Sequence, residues 1–318
     1  MKKIERILVT GGAGFIGSHL AARLLKLGHI VICLDNFDPF YPESIKIKNI
    51  APIRSNKNFI LIQRDIRDKQ HLENCFKGNR IDLVIHLAAK AGVRPSIDDP
   101  LGYYDVNVNG TLILLEVMRT QNVRRLIFAS SSSVYGNSPN VPFSETDCVD
   151  STISPYAASK KAGEQICYTY HHLYDFDVFC LRFFTVYGPR QRPDLAINKF
   201  TDNIINNAPI TVFGDGTSSR DYTYIDDIID GIIGAVERLK GYEIINLGES
   251  RVITLNKMIS TLENSLNKTA TRNQLPFQEG DVITTYANIQ KARILLDYSP
   301  KWEFEDGIRK FIQWKLLQ

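Results

Sequence analysis

The feature that most constrains this chain is Gly11-Gly12-Ala13-Gly14-Phe15-Ile16-Gly17, a GxxGxxG turn lying between the apolar run Ile7-Leu8-Val9 and a helical stretch that opens at Phe15. Glycine in such a turn lets the backbone approach a pyrophosphate closely. The helix that follows aims free N–H groups and the positive end of its dipole at the same place. Gly17 lets the helix pack tightly on the strand. Glycine-rich turns are common, and a turn with no ligand is the plain alternative. The strand before, the helix after and an acid, Asp35, ending the second apolar run give the turn the context of a dinucleotide site. The Asp35 carboxylate is placed to hydrogen-bond adenosine ribose hydroxyls and to repel a 2′-phosphate, and no arginine immediately follows it. NAD is therefore the expected cofactor, rather than NADP.

The rest of the pattern agrees. Continuous apolar runs at 30–34, 59–63, 83–87, 126–129 and 178–182 read as buried strands. Helical stretches at 15–27, 70–76, 104–121 and 155–174 separate most of them. Such alternation means a parallel sheet covered on both faces, a Rossmann-type doubly wound α/β fold. After about residue 185 prolines, glycines and polar loops become denser. With 318 residues available, the expectation is a cofactor-binding domain over 1–184 and a smaller C-terminal α/β substrate-binding lobe over 185–318, with an interleaved boundary.

Composition removes several classes of function. The formal net charge is +3 and no block of Lys and Arg stands out, so nucleic acid is not an expected partner. No apolar stretch approaches the length of a membrane span. The five cysteines, Cys33, Cys75, Cys148, Cys167 and Cys180, are scattered and never form a CxxC pair, which suits reduced thiols in a cytoplasmic protein. His86, His171 and His172 have no third ligand at suitable spacing, so no metal site is expected.

Two further motifs carry chemistry. Tyr156 and Lys160 are four residues apart in a helix capped by Ser154, with Pro155 in its first turn, so they share a face. An ammonium beside a phenol stabilises the phenolate and allows Tyr156 to act as a base near neutral pH. An exposed Tyr/Lys pair is the alternative in the absence of the glycine turn. Ser130-Ser131-Ser132-Ser133-Val134-Tyr135-Gly136 follows the fifth strand, at the carboxyl end where ligands bind in such sheets. Its hydroxyls suit a sugar hydroxyl, a keto oxygen or a carboxylate.

Together with His86-Leu87-Ala88-Ala89, Asn107-Val108-Asn109-Gly110-Thr111, Arg182 to Pro189 and Arg220 to Asp227, these motifs follow the order of the extended short-chain dehydrogenases/reductases. The chain resembles the nucleotide-sugar 4-epimerases of that family from residue 5 to about 310. The resemblance implies that Gly11, Gly14, Phe15, Ile16 and Gly17 wrap the cofactor pyrophosphate. Asp35 and Asn36 would hold the adenosine ribose, and Asp65 and Ile66 would flank the adenine. Leu87, Ala88, Ala89, Asn107, Ser130, Tyr156 and Lys160 would line the remaining ribose and nicotinamide side. Ser131, Tyr156 and Lys160 stand at the catalytic positions. Arg220 would take the substrate diphosphate and Asp281 the uridine ribose. Arg94 could touch a phosphate or carboxylate, or form a surface salt bridge. A homodimer, and a place in polysaccharide biosynthesis, come with the same resemblance.

Within the family, sugar 4,6-dehydratases carry Asp-Glu before Val-Tyr-Gly, and UDP-glucuronate decarboxylases carry Glu directly before that Val. Here the positions are Ser132 and Ser133. What remains is oxidation and re-reduction at C4 of a UDP-sugar through a transient 4-keto sugar, with NAD tightly bound and regenerated in each turnover. The runs 35–41 and 185–194 are most similar to those of the UDP-glucuronate 4-epimerases. Ser132, Ser133, Thr185 and Arg192 offer hydroxyls and a cation for a C5 carboxylate. UDP-glucose or UDP-N-acetylglucosamine is the alternative substrate; the resemblance puts Thr285 where some relatives carry a bulky gate on the C2 pocket, and a threonine leaves room there for an N-acetyl group. A nucleotide-sugar dehydrogenase or reductase and a non-catalytic NAD-binding regulator are the rival classes.

Overall fold

The computed structural model describes residues 4–277 and 282–318. The chain forms two compact units. The first takes the residues up to Gly136, then Cys148–Arg182 and Ile232–Ile245; the second takes Asn137–Asp147, Phe183–Gly231 and Asn246–Gln318.

The first unit begins with β1 (Arg6–Thr10), α1 (Phe15–Lys26), β2 (Ile30–Asp35), α2 (Glu43–Ile50), β3 (Phe59–Gln63), α3 (Lys69–Asn79) and β4 (Leu83–His86). It continues with α4 (Val93–Asp98), α5 (Pro100–Tyr104), α6 (Gly110–Thr120), β5 (Arg125–Ser131), α7 (Pro155–Tyr174) and β6 (Asp177–Phe183). A seven-stranded sheet has the order Tyr242–Leu247, β6, β5, β4, β1, β2, β3. The pairs β1–β2, β1–β4, β2–β3 and β4–β5 are all parallel. Strand order reverses at β1, so the loops after β1 and β4 part there and open a crevice at the strand ends. The strands are continuous apolar runs because helices cover both faces: Ile7, Leu8, Val9, Val84 and Ile85 are fully buried. Leu114, Leu115, Val117 and Met118 of α6 and Cys167 and Tyr170 of α7 pack into the same core as Leu8, Val84 and Leu126.

Two of these helices bear on the site. The stretch 104–121, which reads as one helix, is interrupted by a π-helical turn over Asp105–Asn109 before α6. The wider turn sets Asn107 into the interior, where it is 2 % exposed. α7 starts where its sequence says it should. The Ser154 side chain accepts from the Ala157 N–H and Pro155 occupies the first turn. The helix ends at Asp175, which is left-handed (φ 55°).

The second unit holds β7 (Thr185–Tyr187), α8 (Ala196–Ile205), β8 (Ile210–Phe213), β9 (Ser219–Arg220) and β10 (Tyr222–Tyr224), and α9 (Ile225–Arg238) starts within it. Its strands form small pairs: β7 with β10, β8 with Arg272–Leu275, and β9 with Ile253–Thr254. Among the described residues no helix is long and apolar enough to cross a membrane.

Candidate active site

The turn between β1 and α1 is built to be bare. Gly11 has φ +68°, and a Cβ on it would lie 2.8 Å from the Ala88 nitrogen. A Cβ on Gly17 would run into the Gly11 carbonyl oxygen. These two glycines let the turn fold against the β4 loop and let α1 close on the turn. Gly14 differs: its φ is an ordinary −71° and the tightest protein contact of an added Cβ would be 3.2 Å, to the Gly11 oxygen. Gly14 is the N-cap of α1, gives no side-chain cap, and no acidic residue follows in the first turn. A helix start with no competing carboxylate fits a pyrophosphate.

At the end of β2, Asp35 is 3 % exposed. Its Oδ2 accepts from the Ala13 N–H at 3.1 Å, and its Oδ1 accepts from the Phe37 N–H at 2.8 Å and from Lys46 Nζ at 2.9 Å. Lys46, a residue of α2 that sequence reasoning did not single out, is itself buried and lies 5.4 Å from the centre of the Tyr41 ring. The repulsion of a 2′-phosphate expected from Asp35 is therefore offset by an ammonium. One strand further out, Asp65 accepts from Asn36 Nδ2 at 2.9 Å and from Arg67 Nε and Nη2 at 2.9 and 2.8 Å. The Arg67 hydrogen bonds hold the Asp65 carboxyl down at about 2. Ile66, beside it, is buried.

The segment after β4 is held by side chains. The Ala88 N–H donates to Thr10 Oγ1, which lies 2.7 Å from His86 Nδ1. His86 Nε2 is 3.0 Å from Thr111 Oγ1, which in turn donates to the Asn107 carbonyl. The chain is consistent only with the proton on Nε2. Burial, with Lys160 nearby, pushes His86 down to about 3, so the ring is a neutral structural bridge. Asn107 accepts from the Lys90 N–H and donates to the Lys90 carbonyl and to Ser159 Oγ. It fastens the loop that carries Leu87, Ala88 and Ala89 to α7. Arg94, in the short α4, is exposed.

Ser130 and Ser131 close β5, and Ser132–Tyr135 form a 3-10 turn after it. Ser131 Oγ donates to Ser133 Oγ at 3.0 Å and accepts from the Ser133 N–H at 3.1 Å. On α7, Tyr156 is half-buried and packs edge-on against Tyr103, with ring centres 6.2 Å apart. Lys160 is buried and donates to the Ala129 carbonyl at 2.8 Å. Burial lowers its pKa to about 8, so the ammonium persists at neutral pH. The first unit thus brings the glycine turn, the β4 loop, the serine run and the Tyr156–Lys160 face to one sheet and its crossover helices.

In the second unit Thr185 is half-buried and its N–H donates to the Asp221 carbonyl. Arg220, next to Asp221, gives Nη1 to the Ser219 and Ile283 carbonyls. Arg192 is locked by Asp194 through Nε at 2.9 Å and Nη2 at 2.6 Å. Thr285 is buried and its hydroxyl accepts from the Asp221 N–H at 3.3 Å. Asp281 lies outside the described residues.

The sequence model of the NAD dependent epimerase/dehydratase family matches residues 7–248. A UDP-glucuronate 4-epimerase of Thermodesulfobacterium geofontis is 46% identical over 309 residues, covering 96% of this chain and 95% of that one. The crystal structure of UDP-glucuronic acid 4-epimerase from Bacillus cereus, in complex with UDP-glucuronic acid and NAD, superposes with a TM-score of 0.93 at 39% identity, covering 98% of this chain and 100% of that one. A UDP-glucose 4-epimerase of Thermotoga maritima superposes at 0.90 with 32% identity, covering 98% and 100%. This chain belongs to the NAD dependent epimerase/dehydratase family.

Proposed function

We propose that this protein is an NAD-dependent UDP-glucuronate 4-epimerase, an isomerase that interconverts UDP-glucuronate and UDP-galacturonate. The observation that carries the choice of reaction is chemical. The two residues before Val134 are Ser132 and Ser133, both in the turn after β5. Neither has a carboxyl group to catalyse elimination of water or loss of CO2, so reaction is confined to C4.

The residues divide the work as follows. Gly11, Gly14, Phe15, Ile16 and Gly17 hold the pyrophosphate of NAD; Asp35, Asn36, Asp65 and Ile66 serve its adenosine end; Leu87, Ala88, Ala89, Asn107 and Ser130 shape the nicotinamide side. Bound there, NAD supplies the acceptor and then the donor of the C4 hydride. Tyr156, as phenolate, removes the proton from the C4 hydroxyl and returns it after the 4-keto sugar has presented its other face. Lys160 keeps its ammonium at neutral pH and so lowers the cost of the phenolate. Ser131 hydrogen-bonds the reacting C4 oxygen. Ser132, Ser133, Thr185 and Arg192 hold the C5 carboxylate. Fixing that group matters because the intermediate is a β-keto acid: kept near the ring plane, the carboxylate is out of alignment for C–C cleavage. Arg220 takes the diphosphate, Asp281 the uridine ribose and Arg94 an outer phosphate or carboxylate oxygen. The enzyme acts as a cytoplasmic homodimer and supplies activated sugar acid for polysaccharide synthesis.

The test is a product assay by NMR with UDP-glucuronate, UDP-glucose and UDP-N-acetylglucosamine in separate reactions, with absorbance followed at the NADH band. The expected result is the galacto epimer of UDP-glucuronate with no net NADH. Turnover of a neutral sugar alone would discard the carboxylate assignment. Accumulating NADH or a pentose would overturn the epimerase reading.

A further inference from the structure

Glu164 stands one helical turn beyond Lys160 and two beyond Tyr156 on α7, and its side chain has no exposure. A buried carboxylate is costly to desolvate unless it is paired, and this one is paired by Arg182 and Ser130. Arg182 of β6, 1 % exposed, donates to it twice, from Nε and Nη2, both at 2.8 Å. Ser130 Oγ donates to Oε1 at 2.6 Å. The Arg182 guanidinium also lies 4.8 Å from the centre of the Tyr135 ring, at the far end of the serine turn. One carboxylate therefore joins the helix that carries Tyr156 and Lys160 to the strand end that carries Ser131, and braces both against β6.

We propose that Glu164 is a positioning residue for the reaction, fixing Ser131 through Ser130 and holding the helix of Tyr156 and Lys160 against β5 and β6. This deepens the proposed function and rests on it. The groups facing Lys160 come from α7, β4, β5 and β6. On its own helix it has Tyr156, Glu164 and Cys167, and Lys161 Nζ lies 3.8 Å from Glu164 Oε2. From β4 comes His86, which is neutral. From β5 come the Ala129 carbonyl and the Phe128 ring, 5.2 Å from Nζ. From β6 comes Arg182, whose charge is spent on Glu164. Burial lowers the proton affinity of Lys160, and Cys167 and then Glu164 oppose it. Without that brace α7 is free to shift Lys160 away from Tyr156, and the Tyr156 phenolate loses its counter-charge.

The experiment is a titration of phenolate absorbance in the purified, NAD-bound protein, taken as the difference between each variant and the same variant carrying Tyr156→Phe. Relative to wild type, Glu164→Gln is expected to raise the Tyr156 midpoint by about half a unit to one unit. The acidic limb of kcat should rise with it, with KM little changed. Glu164→Asp should restore much of the wild-type midpoint. Ser130→Ala, which keeps the charge but releases the strand end, should lower kcat several-fold without moving the limb. If Glu164→Gln leaves Arg182 unpaired and does not fold, the double variant Glu164→Gln/Arg182→Gln removes both charges and the same alkaline displacement is expected. A Tyr156 midpoint unchanged in the variant that folds would overturn the proposal. The titration needs no turnover, so an enzyme inactive on every UDP-sugar would sink the proposed function and still leave Glu164 decided.

Discussion

Lys46 Nζ lies 2.9 Å from Asp35 Oδ1 with both side chains buried, so the acid expected to discriminate between NAD and NADP already has a cation against it. The discrimination then rests on how the carboxylate and the ammonium are balanced, and not on a bare negative charge. Asp35→Ser would remove the partner and leave Lys46 facing the ribose end. A lone ammonium favours a phosphate dianion. The ratio of NADP to NAD affinity should therefore rise on the order of tenfold, about 1.4 kcal/mol, measured by calorimetric titration of protein stripped of nucleotide. An unchanged ratio would show that Lys46 serves only to pin α2.

Tyr156→Phe removes the phenol oxygen and nothing else. General acid–base catalysis contributes on the order of 10²–10⁴-fold, and kcat should fall by that much while NAD co-purifies in the wild-type amount. Near-normal turnover would mean that another group moves the C4 proton.

Legibility in the sequence follows a physical rule. Tyr156 and Lys160 were legible because everything that places them is local: the Ser154 cap, Pro155 and helical spacing. The glycine turn and the buried strands were legible because their signals also lie within a few residues. The stretch 104–121 has helical periodicity throughout, yet the turn at Asp105–Asn109 widens. Its reason lies elsewhere in the chain, in the Lys90 backbone and the Ser159 hydroxyl that bind Asn107. Lys46 and Glu164 were missed for the same reason. A lysine on a short helix and a glutamate on a long one look like surface charges until Asp35, Ser130 and Arg182 are brought to them. Strands as short as Ser219–Arg220 and Tyr222–Tyr224 hold too few residues for any alternation to show.

Arg192 donates two hydrogen bonds to Asp194, so its guanidinium plane is set before any ligand arrives. A hydrogen bond to a charged group is worth about 1.5–3 kcal/mol. Arg192→Ala should accordingly lower kcat/KM for UDP-glucuronate by roughly ten- to hundredfold. UDP-glucose, which has no carboxylate, should be affected far less. A steady-state comparison of the two substrates decides the matter, and equal losses would remove Arg192 from carboxylate recognition.

The second unit carries a pH dependence of its own. Glu249 is buried, and burial together with its contact to Asp227 pushes its carboxyl up from 4.5 to about 9. The folded protein therefore keeps a proton there at neutral pH, whereas the unfolded chain releases it above about pH 4.5. Below that value the two states hold the proton alike and the full stability is present. As pH rises toward 9 the unfolded state increasingly binds fewer protons than the folded one, and stability falls. The melting temperature should drop by a few degrees between about pH 5 and pH 9 from this group. Glu249→Gln carries a permanent neutral amide in the same shape, so it should flatten that slope and melt above the wild type at pH 8. Scanning calorimetry of both proteins across this range checks it, and parallel slopes would place the pH dependence on other groups.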